Sequence, residues 1–104
     1  MFTRHLLRQE YQEDPGALAL VRLLQRVAEH DGGSTRPIAA VLKGIYNGNR
    51  NPVDLELVCK RLEGTDFEDV LKVMRLAFTV FERDGIEMHK VFSDERTMPK
   101  ALFE

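Results

Sequence analysis

The chain predicts an all-α fold, a compact antiparallel bundle of about five helices joined by short turns, and three observations carry that prediction. Apolar residues recur at i, i+3, i+4 and i+7 through most of the longer segments. Those segments are separated by brief clusters of Gly, Pro, Asn and Asp, the residues that stop and restart helices. No apolar-polar alternation of the strand type persists beyond three residues. Helices joined by turns of about 2–6 residues become antiparallel neighbours.

The 104 residues fit a single domain, 1–104, able to bury roughly two thirds of the surface of its unfolded chain. A hydrophobic share of 43% and a charged share of 31% are ordinary for a globular chain.

Residues 1–13 begin the chain as a short leading helix, with Phe2, Leu6, Leu7 and Tyr11 near i, i+4 spacing. Asp14 and Pro15 then open the main helix, expected over 15–30. An aspartate accepts hydrogen bonds from first-turn amides, and the fixed φ of proline suits the first helical position. Ala17, Leu20, Val21, Leu24, Val27 and Ala28 line one face of a rod roughly 24 Å long, the expected core pillar. Gly32 and Gly33 end it.

Ser34 or Thr35 caps the next helix, which has Pro37 in its first turn and Ile38, Val41, Leu42, Ile45 and Tyr46 on one face. The run Asn47-Gly48-Asn49 stops it. A fourth helix restarts at Asn51-Pro52 with Leu55, Val58, Cys59 and Leu62 inward, and Gly64 closes it. Thr65-Asp66-Phe67-Glu68 has the form of a capping box for a fifth helix running to about Arg83. Its expected core stripe is Phe67, Val70, Leu71, Met74, Ala77, Phe78 and Phe81, packed on the main helix, with Asp84-Gly85 as the stop. After a brief turn at 86–92, residues 93–104 read as a loose polar tail in which Leu102 and Phe103 are able to dock.

Charge and composition narrow the function. A net charge of -2 exerts no overall pull toward nucleic acid or an anionic membrane. One cysteine makes no internal disulfide. The first residues lack a signal-peptide core, and no run reaches the roughly 18 apolar residues of a membrane span, so a cytoplasmic protein is expected.

His5, His30 and His89 stand far apart without metal-ligand spacing, so no metal is expected; His30 suits the negative end of the main helix dipole. Cys59 reads as a small core residue. The acidic groups Glu10/Glu13/Asp14 and Glu63/Asp66/Glu68/Asp69 fall at helix starts, where they offset the dipole. No nucleotide-binding glycine motif or nucleophile elbow is present, so no enzyme activity and no cofactor are expected.

One stretch stands apart. Between Asp31 and Asp54 there is no acidic residue, while Arg36, Lys43 and Arg50 occur with Tyr46, Asn47, Asn49 and Asn51. The candidate partner-binding residues are therefore Arg36, Lys43, Tyr46, Asn47, Asn49 and Arg50, a cationic, amide-rich face in an acidic chain. Three basic residues on a solvated face, with asparagines making turns, need no partner, and that reading stays open. A helix-turn-helix reading is weak, because Ala39, Ala40, Lys43 and Gly44 offer little to a base edge.

The middle of the chain also resembles a known family. Ala19-Leu20-Val21-Arg22-Leu23-Leu24, Val27-Ala28, Gly33-Ser34-Thr35-Arg36, Ile38-Ala39-Ala40-Val41-Leu42, Tyr46-Asn47-Gly48, Asp54-Leu55 and Glu87-Met88-His89-Lys90-Val91-Phe92 are similar to an uncharacterised family of small helical proteins. That family is found on prophages, phages and conjugative or integrated elements of Gram-negative bacteria. Its junction usually carries Gln-Ser-Arg-Arg, whereas Ser34-Thr35-Arg36-Pro37 stands here with one basic residue fewer. The resemblance implies a mobile-element setting and no mechanism.

Two expectations follow. The first is a non-enzymatic interaction protein of a mobile element that binds a host or element-encoded protein, as a modulator or inhibitor of a host system such as CRISPR defence. Self-association as a homodimer through a leftover apolar stripe is its variant. The second is a nucleic-acid-binding accessory protein using the face around Arg36 to Arg50.

Overall fold

A computed structural model describes residues 1–29 and 35–104. Within them the chain forms five α-helices: α1 (Pro15–Glu29), α2 (Thr35–Tyr46), α3 (Leu55–Arg61), α4 (Gly64–Thr79) and α5 (Thr97–Phe103). The described residues contain no β-strand, so the all-α bundle expected from helical periodicity is the observed architecture.

α1 is the pillar. The Asp14 carboxylate accepts from the Gly16 and Ala17 amides at 2.8 and 3.0 Å, so the predicted cap is formed. Ala19, Leu20, Leu23 and Leu24 are fully buried along its length. α4 is its most extensive partner and runs antiparallel to it. Arg22 pairs with Asp69 through two hydrogen bonds of 3.1 and 2.8 Å, and one turn on Arg26 reaches Asp66 at 3.0 Å. At the other end of the contact, a Cβ on Gly16 would lie 2.6 Å from the Leu76 Cβ and 2.6 Å from the Lys72 carbonyl. Only glycine lets the two backbones approach this closely.

Five expectations are corrected. The leading segment is two 3-10 turns, Arg4–Leu6 and Gln9–Tyr11, rather than a helix. Between them Leu7 bridges Phe92, with the Arg8 amide donating to the Val91 carbonyl at 2.8 Å and the Ser93 amide to the Leu6 carbonyl at 2.9 Å. Burying Leu7 and Phe92 demands backbone partners there, and this short pairing supplies them.

α3 starts at Leu55, after Asp54 caps it by accepting from the Leu57 amide at 3.2 Å. With two turns it presents one inward residue, Val58; Leu55 and Cys59 are exposed, so Cys59 is not a core residue. α4 begins at Gly64, one residue before Thr65, and makes no side-chain cap bond, so the expected capping box is not formed.

The stretch read as a loose tail is ordered: α5 buries Met98 and Leu102 against the core. Met98, Ala101 and Leu102 stand at i, i+3, i+4, enough apolar surface to hold seven residues that would be marginal as an isolated helix.

The fifth correction concerns α4 itself. Its inward row is Val70, Val73, Leu76, Ala77 and Val80. Phe67, Leu71, Met74, Phe78 and Phe81, all assigned to the core by periodicity, are between 38% and 69% exposed. Two apolar rows lie side by side on this helix, and the inward one is the row whose Leu76 lies against Gly16, where the two helices approach most closely. A π-helical turn, Val80–Asp84, extends α4, and Gly85 at φ 64° closes it as expected. The Gly32-Gly33 stop, the Ser34 cap and the His30 dipole role lie outside the described residues.

Candidate interaction groove

α2 carries the acid-free stretch and sits between α1, α4, α3 and α5. Its inward positions Pro37, Ile38, Val41 and Leu42 are buried, which turns Arg36 and Lys43 outward. At its end Asn47 makes a turn: its side-chain oxygen accepts from the Arg50 amide at 3.4 Å, and its carbonyl accepts from the Asn51 side chain at 2.9 Å. The returning chain lays Val53 on Gly44, where a Cβ would collide with the valine side chain. That close approach accounts for a glycine inside a helix.

Arg36 and Lys43 open onto a broad groove of about 1670 Å³ framed by α2, the end of α3 and α5. Arg61, Arg96 and Lys100 also line it, against the carboxylates of Asp94 and Glu104. Asp94 is engaged by Arg96, whose amide and guanidinium both donate to it, and these bonds hold its carboxyl below the usual range while raising the Arg96 guanidinium. The floor is apolar, with Pro37, Ala39, Pro99 and Leu102 among its residues.

The six candidate residues therefore divide. Arg36 and Lys43 share the groove, and Lys43 lies 5.3 Å from the centre of the Phe103 ring. Tyr46 is half-buried inside an aromatic cluster, edge-on to His89 at 5.3 Å and tilted against Phe103 at 5.7 Å, so it pins α5 and the 88–91 turn to α2. Asn47 shapes the turn. Asn49 and Arg50 are exposed on that turn and do not line the groove. Arg61, Arg96 and Lys100 were missed by reading the sequence, because two of them lie in the segment expected to be loose; the Met98, Ala101, Leu102 spacing was the signal available.

A second polar cluster lies elsewhere. The Tyr11 hydroxyl donates to Asp84 at 2.8 Å, and burial, then the bond to that carboxylate, pushes its pKa up to about 12. Asp84 is held below the usual carboxylate range by the Arg83 guanidinium and then by the Tyr11 hydroxyl. This cluster ties the leading turns to the end of α4. Among the described residues no three of His, Cys, Asp and Glu converge on a common point, and no helix is long and apolar enough to cross a membrane.

Fold and groove together define a small helical bundle whose exposed features are a cationic groove and an apolar helix face. The chain belongs to DUF7673, a family of unknown function, which matches residues 17–104. No curated protein and no solved structure matches it.

Proposed function

We propose that this chain is a non-enzymatic interaction protein that receives an acidic segment of a partner protein in the groove between α2 and α5. The observation that supports the reading is the lining itself: five cationic side chains face two carboxylates, in a chain whose net charge is -2. Such a surface steers anionic partners to one place on an otherwise acidic molecule. At about 1670 Å³ the groove exceeds the roughly 300–1,000 Å³ of small-molecule sites and suits a polypeptide segment. In this reading the partner is a host or element-encoded protein, the setting is a mobile element, and the effect is modulation of a host system.

The test is quantitative cross-linking in the producing cell, comparing the native chain with an Arg36→Glu, Lys43→Glu double variant. A partner that cross-links to the native chain and is lost with the variant, whose helicity is unchanged, supports the proposal. Equal recovery with both chains sinks the groove as its seat. Duplex DNA and RNA are titrated in parallel; binding that weakens steeply between about 50 and 200 mM salt would replace the protein partner by a nucleic acid.

A further inference from the structure

The apolar face of α4 is independent of the groove, and its pattern specifies an occupant. Phe67, Leu71, Met74, Phe78 and Phe81 are spaced four, three, four and three residues apart, the 3.5-residue repeat of a coiled-coil seam. The inward row of the same helix already packs on α1, so the seam is the second of two apolar faces and points away from the core. Taking about 200 Å² for a fully exposed aromatic side chain, the five exposures add to an apolar patch on the order of 500 Å², more than half of the roughly 800 Å² each partner contributes to a standard interface.

Charge chooses among occupants. Along the solvent side of the seam run Glu68, Arg75 and Glu82, one heptad apart, and all three are exposed. They make no ion pair among the described residues. A two-fold axis centred on the row would set Arg75 on Arg75, so the row selects an offset: with Phe67 of one copy opposite Phe78 of the other and Leu71 opposite Met74, Arg75 of one chain faces Glu68 of the other, and the two-fold axis repeats the contact. In a parallel pair the same row would instead face the inward-packed positions of Val70 and Ala77.

From this geometry we infer that the chain forms a two-fold symmetric homodimer in which α4 of one copy packs antiparallel on α4 of a second through the seam from Phe67 to Phe78, with Phe81 at its margin. The assembly is a sandwich in which the two α4 helices are covered on their outer sides by α1. It leaves both grooves open, because α2, α5 and the end of α3 line the grooves and contribute nothing to the seam.

The test is sedimentation equilibrium on the intact chain. The native protein should approach about 24 kDa, twice the 12.0 kDa of one chain, as concentration rises. Phe78→Glu should remain at the monomer mass with native helicity, since its side chain leaves solvent only on pairing. Arg75→Glu, which makes the flank uniformly acidic, should weaken association at least tenfold, and mixing it with a Glu68→Arg, Glu82→Arg chain should restore a mixed dimer. A native chain that stays monomeric at about 1 mM overturns the inference. So does a dimer indifferent to Phe78→Glu, and a dimer sensitive to Phe78→Glu but indifferent to Arg75→Glu overturns the antiparallel arrangement.

Discussion

The two faces of α4 make the sharpest contrast in the molecule. On one face Val70, Val73, Leu76, Ala77 and Val80 are buried, Val73 and Val80 fully, with Leu76 against Gly16 of α1. On the other face the larger Phe67, Leu71, Met74, Phe78 and Phe81 meet solvent. Hydrophobicity alone therefore ranks the faces in the wrong order. Backbone approach decides: Gly16 lets the Leu76 face of α4 come close enough to α1 to bury a row of aliphatic side chains, three of them β-branched valines, and the phenylalanines are left outside.

The largest effect should come from charging the inner face. Val73→Asp places a carboxylate at a fully buried position without a partner, so it should cost about 4 kcal/mol or more and leave the chain largely unfolded by circular dichroism. A folded Val73→Asp chain would mean that the inner face is not the core. The next effect concerns the braces that fix the register of this face. Arg26→Met should cost about 3 kcal/mol in urea unfolding, because it strands the buried Asp66 carboxylate. Arg22→Met, at a brace with an exposed guanidinium, should cost no more than about 1 kcal/mol. Equal losses would contradict the assignment of one brace as buried and one as a surface pair.

A smaller effect distinguishes the far end of α4. Tyr11 ionises at about 12 in the folded chain and near 10.0 when free, so its bond to Asp84 contributes fully below pH 10 and is lost as pH rises through 12. Asp84 is shifted downward, so its share is present above the ordinary carboxylate range and is lost only as pH falls through its lowered folded value. Tyrosinate absorbance in a Tyr46→Phe background, which leaves Tyr11 as the single tyrosine, should titrate near 12 in the native chain and near 10 in urea. Titration of the native chain near 10 would show that Tyr11 is neither buried nor bonded.

The fold class was legible from periodicity and punctuation, and so were the Asp14 cap, the α1 pillar and the Gly85 stop, because each rests on interactions within one turn of helix. What was not legible depends on the third dimension. Reading α4 as one broad stripe merged two rows that differ only in which neighbour they face. The role of Cys59 depended on α3 being short and half exposed. The order of α5 depended on docking Met98 and Leu102 against the core, with Tyr46 and Phe103 in ring contact beside them. At the groove the sequence supplied Arg36 and Lys43 through the acid-free run, whereas Arg61, Arg96 and Lys100 are distant in the chain and converge only on folding.

Urea unfolding of Phe78→Glu at two chain concentrations decides whether the outer face of α4 belongs to a surface or to the core. The native chain should gain stability as concentration rises, by mass action on the dimer. Phe78→Glu should show no concentration dependence and should match the dilute native chain within about 0.5 kcal/mol. A loss of about 2 kcal/mol or more in the dilute variant would show instead that Phe78 holds the monomer together, and the division of α4 into a structural face and a pairing face would be wrong.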